Sequence, residues 1–145
     1  MLVFTSLRAK AMMMMSIMIL SLTAMTGSMM AQSVPSHWYH NGSTVFLVSN
    51  GRSREFFYWE PRPGLLQAGA RRGAVLFSGT SDGDFYRGTA YIFNARCGAF
   101  PYDVNGPILD SYRRVVLRGS APRIGANCQI VGYLNDVLEF TLSGN

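Results

Sequence analysis

From residue 43 onward, apolar and polar positions alternate in short runs, and each run closes on turn residues. "STVFLVS" leads into Asn50-Gly51, a two-residue hairpin signal. "REFFYW" stops at Pro61, and "GAVLFSG" leads to "TSDGD", where Asp82-Gly83 supplies the next turn. "FYRGTAYIF" is the longest strand candidate and ends near Asn94 and Cys97. "PYDV" meets Asn105-Gly106-Pro107, which reads as a reversal, and "YRRVVLRG" ends at Ala121-Pro122. "CQIVGY" and "VLEFTL" are joined by a turn expected at Leu134-Asn135-Asp136. Residues 34–36 read as an irregular lead-in, and only residues 65–72 have room for a helical turn.

Seven or eight short strands at near-regular spacing predict an all-β chain, a small antiparallel barrel or a sandwich. Short loops between sequential strands favour an up-and-down meander. Closing the sheet also removes its exposed edges. Period-2 alternation assigns the faces. Leu138, Phe140 and Leu142 share one face, as do Val115 and Leu117. Tyr86, Gly88, Ala90 and Ile92 oppose Arg87, Thr89, Tyr91 and Phe93, and Gly88 within a strand predicts a bulge or sharp bend.

The first thirty residues have a different pattern. Arg8 and Lys10 precede the apolar run "AMMMMSIMILSL", and small residues follow in "TAMTGSMMAQS". Cations, an apolar centre and a small-residue end are the parts of a secretory signal peptide. We therefore expect a leader over residues 1–31 and a single domain over 32–145, with cleavage after Ser28 or Ala31. The competing reading is an uncleaved anchor over residues 11–31, whose second half is only weakly apolar.

The full chain carries a net charge of +5, and removing the leader with its two cations leaves 11 arginines, no lysine and 8 acids, or +3. So small a surplus, spread along the chain, is no nucleic-acid footprint. Cys97 and Cys128, both in the mature part, predict one disulfide in an exported protein.

Candidate chemistry concentrates in "REFFYWEPRPGLLQAG". On a strand, Phe57 and Trp59 face one way and Phe56 and Tyr58 the other, so both faces are apolar. One face is then an aromatic platform for a partner, or the following loop covers it. Pro61 and Pro63 hold Arg62 in an extended, polyproline-like geometry with little entropy left to lose. Other signals are weak. His37 and His40 lack neighbouring ligand residues for a metal, and "TSDGD" lacks the acids of a calcium loop. The Gly-x-Ser-x-Gly spacing at Gly79-Thr80-Ser81-Asp82-Gly83 falls in the "TSDGD" turn and not in a strand-to-helix elbow, and there is no phosphate cradle and no singled-out carboxylate pair. The expectation is therefore not an enzyme, with no catalytic residue, no metal and no cofactor.

Several motifs together carry a resemblance. They are Trp38 with Asn41-Gly42-Ser43, Gly51, Tyr58, Pro61-Arg62-Pro63-Gly64-Leu65, Phe77, Gly79, "YRGTAYIF", Cys97-Gly98, "LRGSAP" and Cys128. In this combination the mature chain resembles a group of small exported bacterial β proteins of unassigned activity. The resemblance implies export, one β domain and the disulfide, and it brings over no site residues.

From the residues we expect a non-catalytic binding module of the cell envelope, periplasmic or extracellular. Its contact surface would include Tyr58, Trp59 and Arg62. Its partner would be an envelope glycan or protein, with no nucleic acid and no membrane span in the mature chain. The alternatives are an inhibitor that inserts the 61–65 loop into a hydrolase, and a structural envelope protein.

Overall fold

A computed structural model describes residues 34–144. The expected signal peptide and its cleavage sites lie outside the described residues. The chain forms β1 (Ser36–His40), β2 (Ser43–Asn50), β3 (Ser53–Glu60), the short helix α1 (Pro63–Gln67), β4 (Val75–Asp82), β5 (Phe85–Asn94), β6 (Gly98–Leu109), β7 (Arg114–Ile124) and β8 (Ile130–Leu142). Every strand pairs antiparallel with its sequence neighbours, and β8 returns to β1 to close an up-and-down barrel. Among the described residues, no helix is long and apolar enough to cross a membrane.

Three strand assignments differ from the expectation. The irregular lead-in expected over residues 34–36 ends before Ser36, where β1 begins, with Trp38 and His40 inward and His37 and Tyr39 outward. The reversal expected at Asn105-Gly106-Pro107 lies after Leu109. There Asp110, Ser111 and Tyr112 take positive φ, while β6 runs on with Tyr102, Val104, Gly106 and Ile108 all buried. The turn expected at Leu134-Asn135-Asp136 is absent, and β8 pairs with β7 residue by residue through it (Ala121 with Leu134, Gly119 with Asp136). In each case tertiary pairing along a buried face outweighs the local turn preference.

Gly88 makes neither bulge nor bend, since no register shift interrupts β4–β5 or β5–β6 pairing there. It stands opposite Gly79, and a Cβ on Gly88 would lie 2.5 Å from the Gly79 Cα. The Phe77 ring covers the pair, so both glycines are required by close approach. Gly106 is tighter still: a Cβ there would meet the Val116 carbonyl oxygen at 1.8 Å.

The interior is filled with aromatics in the lower half. Phe56 stacks on Phe140 at 4.0 Å, Trp38 meets Phe56 edge-on at 5.6 Å, and Phe77 stacks on Tyr86 at 6.2 Å. Phe56, Phe77, Phe140, Leu117, Val45 and Val115 are fully buried, which makes this end of the barrel a solid core. A bulge in β4, where Phe56 pairs with Phe77 but Phe57 with Val75, lets Leu76 and Phe77 both turn inward.

At the opposite end, the mouth, lie the β1–β2 turn, α1 with its flanking loops, and the β5–β6 and β7–β8 hairpins. The tips of these two hairpins are joined by the Cys97–Cys128 disulfide (S–S 2.03 Å).

Candidate functional site

The mouth contains a cavity of about 370 Å³. Its apolar walls come from Leu65 after the helix start, Leu76 at the β4 bulge, Ile92 and Phe93 of β5, and Leu138 of β8. Its polar groups come from four separate elements: His40, Tyr58, Tyr102 and Asp136, with Arg62 at the rim.

Each polar group is held by its strand. His40 is the last residue of β1 and is buried, with its Nδ1 2.9 Å from the Glu139 carbonyl oxygen. A carbonyl only accepts, so Nδ1 carries the proton and Nε2 presents a lone pair. Burial lowers the pKa of this imidazole, which keeps it neutral at pH 7. The Tyr102 hydroxyl donates to Asp136 Oδ2 at 2.5 Å, tying β6 to β8 across the mouth, and burial pushes the phenol's pKa well up. Tyr58 is also buried, and desolvation raises its pKa far above the ordinary value. Its ring meets Phe93 edge-on at 5.9 Å, and the residue lines the mouth cavity.

Arg62 has the extended backbone that the flanking prolines predict, with φ −60° and ψ 157°. Its N–H donates to the buried Ser43 Oγ at 2.9 Å, which fixes the 61–65 loop to the start of β2. Pro63 then opens α1 in the position where a missing N–H costs nothing. The Arg62 side chain lies between two glycines: its Cδ is 3.5 Å from where a Gly42 Cβ would stand, and its Nη1 3.0 Å from that of Gly64. The guanidinium forms no ion pair among the described residues.

Of the three residues expected to form the contact surface, the barrel wall divides one from the others. Tyr58 and Arg62 share the mouth cavity. Trp59 is the extra residue of a β3 bulge, since Thr44 pairs with Glu60 and Val45 with Tyr58. It lies on the outer wall in a second groove of about 530 Å³ with His37, Phe46 and Arg72, which Tyr58 also borders. The Arg72 guanidinium lies 3.6 Å over the indole, and Phe46 meets it edge-on at 4.7 Å. The indole nonetheless stays exposed.

Sequence reasoning missed three members of the mouth. On sequence His40 suggests only a weak metal ligand, Asp136 falls in an expected turn, and nothing singles out Tyr102 within "PYDV". Their signal was a polar group at an inward position of an alternating strand, legible once the register of β1, β6 and β8 is known. Among the described residues no cluster of three His, Cys, Asp or Glu side chains stands where it would hold a metal. The arrangement offers hydrogen-bond acceptors, hydroxyls and a cation around an apolar hollow that can hold a molecule.

No family model matches the chain, and no curated protein matches it. Among solved structures, the chain is similar to intact afifavidin in its apo form, with a TM-score of 0.52 and 23% identity over 78% of this chain and 83% of that one. The likeness is one of fold, that of a closed antiparallel β-barrel.

Proposed function

We propose that this is an exported, non-catalytic binding protein that takes a small amphipathic molecule into the barrel mouth. The observation that carries the reading is a set of polar groups converging on an apolar hollow. Tyr58 and His40 line the cavity, where an entering ligand can hydrogen-bond to the phenol and to the imidazole Nε2. A cavity of about 370 Å³ with few convergent polar groups fits a small-molecule site. Arg62, held rigid and free of carboxylates, favours a ligand whose outer end is anionic or carries a carbonyl. An expected apolar body would contact Leu65, Leu76, Ile92 and Leu138.

The disulfide fits an exported chain. The structurally similar afifavidin is described in an apo form, which agrees with a binding role by analogy of fold. The 61–65 loop lies across the mouth with Leu65 packed against the core, which suits a wall of the site better than a projecting inhibitor loop.

The test is a thermal-shift screen of small amphipathic acids and neutral amides. Hits should stabilise the native protein and lose most of that effect in Tyr58→Phe. Hits that stabilise both proteins equally would place the ligand elsewhere.

A further inference from the structure

We propose that two copies of this chain pair edge to edge through residues 130–138 of β8, forming a two-fold dimer with one sheet continuous across it. The barrel closes only where Trp38 and Tyr39 of β1 meet Leu142 and Thr141 of β8. β1 ends at His40, whereas β8 continues upward for about ten more residues, or about 30 Å, paired on its other side with β7. Among the described residues no strand pairs with the free side of this extension. The matching upper part of β5 is not bare in this way, since Phe93 packs on Tyr58 and Ile92 on the core.

Apart from the inward Asp136 and a bulge at Val131, the extension lacks the devices that keep edge strands apart. Its sequence, IVGYLNDVL, holds no lysine, arginine or proline. Ile130, Val131, Tyr133, Leu134 and Val137 are 47–64% exposed. Across a paired edge these side chains would stand beside their counterparts on the same face of the sheet.

The occupant is argued from self-complementarity. An antiparallel strand pairs with its own copy about a two-fold axis normal to the sheet, and residues on one face must meet. With Leu134 on the axis, Tyr133 faces Asn135 of the partner subunit, and the bulge at Val131 ends the regular pairing. Gly132 then faces Asp136 of the partner subunit. No like charges stand opposite each other. Arg123, the β7 residue paired with Gly132, lays its side chain over that glycine, its Cδ 4.0 Å from where a Cβ would be. Arg123 forms no ion pair among the described residues, and in this register it points toward Asp136 of the partner subunit. Gly132 thus leaves room for a cross-subunit charge pair at both ends of the interface.

The test is sedimentation of the purified protein from 1 to 100 µM. A dimer at the upper concentrations is expected, and a monomer throughout would overturn the proposal and leave the edge to a different partner. Leu134→Lys and Arg123→Glu should each weaken the dimer at least tenfold while the circular dichroism spectrum stays that of the parent. A dimer unchanged in both variants would overturn the interface. Leu134→Cys should form an intersubunit disulfide on mild oxidation. Equal cross-linking of Tyr112→Cys, an exposed position at the opposite end of the barrel, would overturn the register.

Discussion

Removing the Cys97–Cys128 bridge should lower stability by about 3–4 kcal/mol. The half-cystines are 31 residues apart, and the bridge closes a loop containing all of β6, all of β7 and their connection. On the chain-entropy model, opening a loop of that length gives the unfolded ensemble about 12 cal/mol/K, or roughly 3.7 kcal/mol at 25 °C. The folded state should lose little, because β6–β7 and β7–β8 pairing and the Arg96 contact to the Ala126 carbonyl hold the two tips together. The assay is urea unfolding of the native protein and of the Cys97→Ala/Cys128→Ala double variant. With a slope near 1.5 kcal/mol/M, the midpoint should fall by about 2–2.5 M with the slope almost unchanged. A difference below about 1 kcal/mol would refute the reasoning. It would mean that the unfolded chain already keeps the two tips close, or that the bridge strains the fold as much as it restrains the coil.

Other predictions follow from the barrel wall and the mouth. Gly106→Ala should fail to give a cooperatively folding barrel, since its Cβ would meet the Val116 carbonyl oxygen at 1.8 Å. Gly51→Ala, with open space around it and only a positive φ of 54°, should cost about 1–2 kcal/mol, and urea midpoints compare the two. Phe56→Ala should cost about 3–5 kcal/mol by the same measurement, because its ring is fully buried between Trp38, Phe77 and Phe140. His40 binds a proton less readily folded than unfolded, so its contribution is complete above its ordinary pKa of 6.5. Stability should therefore decline as pH falls below about 6.5 and level off below the folded-state pKa. Midpoints at pH 7.5, 6 and 5 measure the decline, and His40→Gln should flatten that part of the profile.

Much of the barrel was legible because period-2 alternation survives in this chain. The inward sets of β5 and of β8 from Leu138 follow it, whereas in β7 Val116 is buried between Val115 and Leu117, and the two turns built on Asn50-Gly51 and Asp82-Gly83 fall where glycine allows positive φ. The misreadings have one physical source. Asn105-Gly106-Pro107 and Leu134-Asn135-Asp136 carry turn residues, yet each lies opposite a long partner strand whose pairing rewards continuing. Gly106 is glycine for the sake of Val116 across the sheet, not for a turn, and no local rule reveals that. The site was half legible for a related reason. The proline-locked Arg62 and its neighbour Tyr58 are adjacent in sequence and converge. His40, Tyr102 and Asp136 reach them from β1, β6 and β8 only after the barrel closes. Trp59 drew attention through its aromaticity, but the bulge beside Tyr58 turns it to the outer wall.

The central claim, that the mouth is the binding site, is tested most directly by calorimetric titration of the best screening hit into the native protein and two variants. Losing the Tyr58 hydroxyl in Tyr58→Phe should weaken binding about 5- to 100-fold, as deleting one buried hydrogen-bonding group does. Trp59→Ala, one residue away but across the wall, should leave the affinity within twofold. Weakening by Trp59→Ala with Tyr58→Phe unaffected would put the ligand on the outer surface and contradict the account.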